Sequence, residues 1–356
     1  MDGSKIKRAS KKLKRKFSLA DKLDKKSRKK LKKQKSDASI AGSITDVNKK
    51  KSGQLSTVSI ALPGSILENS QSPELRTYLA GQIARAAVIF NVDEIIIFNE
   101  SLSKKTNEGL FKGSTKSSDP NILLARILQY LECPQYLRKE FFPVHQDLKY
   151  AGILNPLDCP HHMRADDIVA YREGVTLNRP VKKGEGSFVN VGIMKDVKID
   201  KHLKPNIRVT VKLDPYEQET IEKKRYLTGR VVTPSTPREE AGIYWGYSVR
   251  LAENFSSVFT NCPYKGGYDL TIGTSENGGD INSIEIPSYN HLLLVFGGSK
   301  GLEYSFESEE SLRDTDVTLL FDHFINYCSN QGTRTVRTEE AVFITLAVLR
   351  SKLSKT

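Results

Sequence analysis

At 356 residues the chain is long enough for two domains and a tail, and its formal charge of +13 comes from 55 Lys and Arg against 42 Asp and Glu. No apolar run approaches the ~18 residues of a membrane span, and the start lacks an apolar signal core. The four cysteines, Cys133, Cys159, Cys262 and Cys328, show no paired spacing, which excludes a disulfide framework and points to a reduced, intracellular protein.

The charge is carried by one end. Residues 1–53 hold 20 Lys and Arg against 5 acidic residues, whereas the remainder holds 35 against 37. Runs such as Lys11-Lys-Leu-Lys-Arg-Lys16 repel one another in isolation, so this tail is expected to be disordered until it meets a polyanion: nucleic acid or an import receptor. A nuclear protein is the natural reading.

After the tail, Thr57 to Leu62 reads as a first strand stopped by Pro63-Gly64, and residues 73–90 read as a helix whose Leu79, Ile83, Ala87 and Phe90 face a sheet. Val92 to Phe98 is the next buried strand, so strand, helix and strand form a parallel crossover. The other side of the helix carries Gly81, Gln82, Arg85 and Ile89, a mixture that suits either a subunit interface or a solvated surface. Residues 101–118 read as a loop, Asn121 to Leu131 as a well-buried helix, and Gln135 to Phe141 as a short one.

From 165 to 260 the texture changes to short alternating runs. Ile168–Tyr171, Ser187–Ile193, Ile207–Leu213, Leu227–Thr233 and Ile243–Arg250 read as five strands of a small antiparallel barrel, most simply of the oligonucleotide-binding (OB) type. Tyr244, Trp245 and Tyr247 with Arg250 offer base stacking beside a cation, or simply strand-forming bulk. The corner before this insert, Asp158-Cys-Pro-His-His-Met-Arg164, invites a metal reading. Adjacent histidines point apart in extended chain and no second cluster completes a tetrahedral site, so the expectation is no metal.

The last part carries the features that organise the rest. His291 to Val295 is a short continuous apolar run, as expected of a strand buried on both faces, and it opens into Phe296-Gly297-Gly298-Ser299-Lys300-Gly301. Phe324 to Cys328 opens in the same way into Asn330-Gln331-Gly332-Thr333-Arg334-Thr335-Val336-Arg337, followed by a helix that begins Thr338-Glu-Glu. Two strand-loop units suggest one small-molecule pocket at the carboxyl edge of a sheet. Neither loop has the spacing of a nucleotide-binding P-loop or of a dinucleotide fingerprint.

Together with Thr274-Ser-Glu-Asn-Gly278, these loops resemble the three cofactor loops of the SPOUT, or alpha/beta-knot, RNA methyltransferases. Gln82-Ile-Ala-Arg85, Ala61-Leu-Pro-Gly64, the Asn155 to Arg164 corner and Gly332 to Glu340 are similar to the branch with an OB-like insertion, over roughly residues 57–350. The resemblance implies an α/β fold: a parallel-sheet SPOUT domain formed by 54–164 and 261–356, a trefoil knot in the latter part, and a barrel insert at 165–260. It implies S-adenosyl-L-methionine as methyl donor, held by Thr274, Ser275, Glu276, Gly278, Phe296, Gly297, Gly298, Gly301, Asn330, Gln331, Gly332, Thr333, Thr335 and Val336. Arg85, Arg337 and Glu339 become catalytic candidates, Glu339 and its neighbour Glu340 being equally suited to satisfying a helix N-terminus. The resemblance further implies a homodimer acting on RNA, here a ribosomal RNA base or a pre-ribosomal particle in the nucleolus, without metal or membrane. A noncatalytic RNA-binding ribosome-assembly factor on the same fold is the alternative.

Overall fold

The computed structural model describes residues 56–100, 119–182, 184–215, 224–313 and 316–353. The expected disordered tail and the 101–118 loop lie outside these described residues. The centre is a six-stranded sheet built from β1 (Thr57–Pro63), β2 (Glu94–Phe98), β8 (Ser248–Ala252), β9 (Leu270–Asp280), β10 (His291–Val295) and β11 (His323–Asn326), in the order β11-β9-β10-β1-β2-β8. Every neighbouring pair is parallel.

The apolar runs are continuous because each central strand feeds two cores. Ile60 and Leu62 of β1, Ile95 and Ile97 of β2, and Leu292 and Leu294 of β10 join one cluster; Ala61, Ile96, Phe98, Leu293 and Val295 join the other. Successive side chains point to opposite faces, so a strand covered on both sides is mostly apolar, and the buried Ser59 of β1 is satisfied by donating to Glu94 of β2 at 3.1 Å. Helices α1 (Pro73–Ile89), α2 (Pro120–Glu132) and α7 (Thr338–Leu353) contribute Leu79, Ile83, Leu124, Leu128 and Leu346 to the first core. Helices α5 (Phe255–Thr260) and α6 (Gly301–Glu307) contribute Phe255, Val258, Leu302 and Phe306 to the second. Each such side chain, fully buried, contributes roughly 1.5–3 kcal/mol.

Local chemistry starts the helices where the sequence says. Ser72 caps α1 by accepting from the Leu75 amide at 3.2 Å, with Pro73 in the first turn. Asp119 caps α2 at the Asn121 amide, 2.8 Å, and the Asn121 side chain in turn accepts from the Gly64 amide at 3.0 Å. That bond fastens the end of β1 to α2 and fixes the exit of the Ala61-Leu-Pro-Gly64 segment.

The insert is a separate closed barrel of β3 (Tyr171–Thr176), β4 (Phe188–Asn190), β5 (Val197–Lys198), β6 (Arg208–Leu213) and β7 (Leu227–Val232), in the order β3-β4-β5-β7-β6. Its interior is aliphatic: Val189, Val191, Val197, Ile199, Val211 and Leu227. Three strands match the alternating runs, and two assignments need correction. The first strand begins at Tyr171 instead of ending there, with Ile168 exposed, because its polar residues are internal. Arg172 is fully buried and donates to the Arg164, Asp167 and Val191 carbonyls, and Glu173 accepts from Arg208, Thr210 and Trp245. The run Ile243–Arg250 supplies no barrel strand: its end enters β8 and pairs with β2, while the two-residue β5 takes the fifth place.

Candidate active site

All three glycine-bearing segments converge at the carboxyl ends of β9, β10 and β11. The first is a continuation of β9 instead of a loop, and its ladder with β11 shifts register between Phe324 and Ile325. Gly278 sits at this shift. A Cβ there would lie 2.4 Å from the Ile325 carbonyl carbon, so the glycine lets the two backbones pass.

A cavity of about 380 Å³ lies between the segments. Thr274, Ser275 and Glu276 form one wall, Phe296, Gly297, Gly298 and Gly301 a second, and Gln331, Thr335 and Val336 a third. Ser299, Lys300, Asn326, Tyr327 and Ala341 also line it, as do Asn277 and Glu303. Phe296 is buried in the core, so it can serve a ligand mainly through its backbone. The remaining expected residues fall elsewhere: Gly278 is taken up by packing, Gly332 and Thr333 line a neighbouring cleft, and Asn330 lines neither space.

Glu303 is the residue that sequence reading missed. It stands on the first turn of α6, where its carboxylate accepts from the Ser275 hydroxyl and from Asn277 Nδ2 at 3.1 Å, tying the first segment to the second. Burial alone would raise its carboxyl, but these donors and its own backbone amide win and hold it below the ordinary carboxylate range. The cavity therefore carries a fixed negative charge at neutral pH. Only the turn after Gly301 hinted at it, as Glu303 follows that glycine by two positions.

The walls are braced from behind. Thr338 donates its hydroxyl to the Gly297 carbonyl at 2.9 Å, joining α7 to the second segment. The Arg337 carbonyl accepts the first α7 bond from Ala341, and Glu340 reaches back to the Arg337 amide at 3.0 Å. Glu340 thus satisfies the helix N-terminus in the manner of a capping box. Glu339 is left for other work: its side chain is 10% exposed and lies 3.9 Å from the Arg337 guanidinium, which is 71% exposed.

The adjoining cleft, about 760 Å³, shares Gln331 and Val336 with the first cavity. It brings Arg85 and Gln82 of α1 together with Gly332, Thr333 and Glu339, residues up to 257 positions apart in the chain. Arg337 lines neither space. Arg85 donates to the Leu157 carbonyl at 2.8 Å and to the Pro156 carbonyl at 3.3 Å, so the residue also anchors the corner after α2. Gly81, on the helix side that suits either a subunit interface or a solvated surface, is buried; a Cβ there would lie 2.8 Å from Leu154 Cδ2 of the same chain.

Two other readings are resolved by contacts. Tyr244 donates to the Val92 carbonyl, Trp245 to Glu173, Tyr247 to the Leu128 carbonyl and Arg250 to Glu94, so this aromatic group is internal structure and not a stacking platform. Cys159, His161 and His162 do gather, with their ligand atoms within 4.8 Å of one another. Both histidines place Nε2 on the Glu132 carbonyl, at 2.9 and 2.7 Å, satisfying the C-terminus of α2. Burial pushes the Cys159 thiol up to about 12, and burial with the neighbouring His161 pushes His162 down to about 4. His161 Nε2 also lies 3.0 Å from the Glu132 carboxylate, so the corner is tied to the end of α2 by both its backbone and its side chain.

The family described as "Putative RNA methyltransferase" matches residues 57–349, nearly the whole of the described fold. A mouse protein named 28S rRNA (uridine-N(3))-methyltransferase is 56% identical over 304 residues, covering 85% of this chain and 78% of its own. The human protein of the same name is 55% identical, covering 85% and 80%, and that of Drosophila melanogaster is 51% identical, covering 84% and 62%. No helix among the described residues is long and apolar enough to cross a membrane. With a match that runs through both halves of the sheet, the barrel and all three cavity walls, the chain belongs to the putative RNA methyltransferase family.

Proposed function

We propose that the protein methylates N3 of a uridine in large-subunit ribosomal RNA with S-adenosylmethionine as donor. The observation that carries this is the pair of joined spaces: a small cavity fit for a cofactor opening beside a larger cleft that holds a carboxylate and a guanidinium. The names of the mouse, human and fly relatives support the choice of atom. Small-molecule sites span about 300–1,000 Å³, and the first cavity lies within that range. Its ionised Glu303 suits a ligand bearing a sulfonium and an ammonium. The donor supplies a methyl group already activated by the positive sulfur, so the protein's task is to hold the acceptor in line, which contributes on the order of 7–11 kcal/mol.

Uracil N3 sits between two carbonyls and its lone pair is delocalised until the N3 proton leaves. Glu339, in the cleft and shielded from solvent, is placed to take that proton. Arg85 faces the same space, where its charge stabilises the imide anion and its oxygens. The N3 lone pair then forms the new bond to carbon while the carbon–sulfur pair returns to sulfur. Nucleoside mass spectrometry of ribosomal RNA incubated with the protein and donor tests this: N3-methyluridine should accumulate, and Glu339→Gln should lower kcat by about 100-fold with donor affinity unchanged. Methyl groups on another atom, or full activity in the variant, overturn the assignment.

The same reading extends to assembly and place. Leu75, Tyr78, Ile89 and Phe343 expose 39–54% of their surface on α1 and α7 around the cleft, an apolar rim that a second copy would cover. The barrel's strand order and its one parallel pair, β5 with β7, support an OB-type barrel. The basic tail serves nucleolar accumulation and adds phosphate contacts. Sedimentation of the full chain and of Ile89→Asp should give a dimer and a monomer respectively, and deleting residues 1–53 should flatten the salt dependence of RNA binding and disperse a tagged protein from the nucleolus. A monomeric parent chain removes the shared interface, and an unchanged salt slope and location remove this role of the tail.

A further inference from the structure

The barrel has a second surface that catalysis does not use. Residues 171–232 carry 14 Lys and Arg against 8 acidic residues, while the rest of the chain beyond residue 53 carries 21 against 29. Beyond residue 53 the chain is therefore polarised, with the positive excess on the insert. On that insert Phe188 breaks the rule that a large apolar side chain belongs inside. It alternates with Val189, which is in the interior cluster, and is itself outside that cluster, yet only 7% of it is exposed.

What covers Phe188 is a cation and another ring. The Arg179 guanidinium lies 4.1 Å from the ring centre, and Tyr226 meets it edge-on at 5.4 Å. Lys198, the cross-strand neighbour of Phe188, stands 5.8 Å from the Tyr226 ring. Exposed Lys182, Lys224 and Arg225 flank the group in sequence. Arg179 and Lys198 are tethered by Asp196 at 3.1 Å and Glu185 at 3.0 Å, but Arg179 and both carboxylates are 37–40% exposed, so these pairs are weak and exchangeable.

We infer that Arg179, Phe188, Lys198 and Tyr226 form a docking surface for unpaired RNA flanking the target nucleotide. A base displaces the Arg179 guanidinium from Phe188 and stacks against the rings, and the freed cation moves from Asp196 to a phosphate. One π-facing partner replaces another, so little is lost on the protein side. The location agrees: OB-type barrels bind oligonucleotides on their second and third strands and the adjoining loops, here β4, β5, the segment after β3 that holds Arg179 and the segment before β7 that holds Tyr226. Single-stranded RNA is favoured over duplex because only unstacked bases present their faces.

The inference rests on RNA being the substrate, and its test separates the two. Fluorescence anisotropy with the full chain measures binding of an unstructured uridine-rich RNA of about 12 nucleotides and of its duplex. Arg179→Ala with Tyr226→Ala should weaken single-strand binding about tenfold or more and leave duplex binding, which reports the tail and general charge, unchanged. Tyr226→Phe should retain the parent affinity. Methyl transfer to ribosomal RNA should show a raised KM for RNA with kcat and donor affinity preserved. The charge-matched control Lys139→Ala, which likewise removes one exposed cation, should bind like the parent. No loss in the double variant, equal loss on single strand and duplex, or equal loss in the control overturns the surface. Selective loss in a protein that transfers no methyl keeps the surface and removes the catalytic reading; unchanged binding with normal transfer does the reverse.

Discussion

Gly297→Ala should lower donor affinity by about 100-fold or more, whereas Gly332→Val should leave the folded protein intact. A Cβ at Gly297 would lie 2.2 Å from the Leu302 amide nitrogen and 2.3 Å from the Gly301 carbonyl carbon, both backbone atoms at the start of α6. Neither can turn aside, so the segment must open. Its carbonyl also receives the Thr338 hydroxyl, and opening it unseats the head of α7 and the third cavity wall together. Each bond to a charged donor that the displaced walls no longer make costs about 1.5 kcal/mol, so two such losses lower affinity by about 100-fold or more. At Gly332 an added Cβ meets nothing within 4 Å, so Val there should change stability by no more than about 0.5 kcal/mol, and any loss of affinity reports a ligand in the open space. Calorimetry with S-adenosylmethionine, alongside thermal melting, checks both. Parent-like donor affinity in Gly297→Ala would move the donor out of this cavity.

Arg208→Ala should destabilise the protein by about 3–5 kcal/mol without touching a cavity wall of the active site. Arg208 of β6 grips Glu132 of α2 with two bonds, 2.6 and 2.9 Å, and Glu173 of β3 with a third, 2.7 Å. Both carboxylates are buried, at 7% and 3% exposure, so removing the guanidinium leaves two uncompensated charges at the junction of sheet and barrel. Burial by itself would raise the Glu132 carboxyl; the Arg208 charge and the His161 bond prevail and hold it down at about 2. A depressed folded value means that this stability is fully present above the ordinary value of 4.5 and is lost as pH falls from there through about 2. Chemical denaturation of parent and variant across that range should show the parent's acid sensitivity reduced in the variant. A cost under 1 kcal/mol at neutral pH would mean the junction is held by packing alone.

Much of this molecule is legible in one dimension because its main signals are local. Leu292 to Val295, Ile60 to Leu62 and Ile95 to Phe98 are apolar without interruption, and short strands with such a centre suit the middle of a two-faced sheet. Ser72-Pro73 and Asp119-Pro120 mark their helices by capping chemistry that needs no distant partner. The glycine runs after β10 and β11 announce loops at a sheet edge for the same reason.

Tertiary structure decided the rest, and it did so wherever polar groups are buried against partners far along the chain. Arg172 and Glu173 look like surface residues until Arg208, Thr210 and Trp245 arrive from up to 72 positions away, which is why the first barrel strand is misplaced by hydropathy. Tyr244, Trp245 and Tyr247 resemble a binding platform until the Val92 carbonyl, Glu173 and the Leu128 carbonyl claim them. Glu303 gains its meaning from Ser275 and Asn277 across the cavity, and Arg85 meets Glu339 in one cleft because α1 and α7 pack on the same face of the sheet. Sequence by itself determined the strands β1, β2 and β10, the helix caps and the loops after β10 and β11, since those depend on neighbours within a few residues. Which carboxylates are buried, which glycines pack and which remain open depends on what the fold brings opposite them.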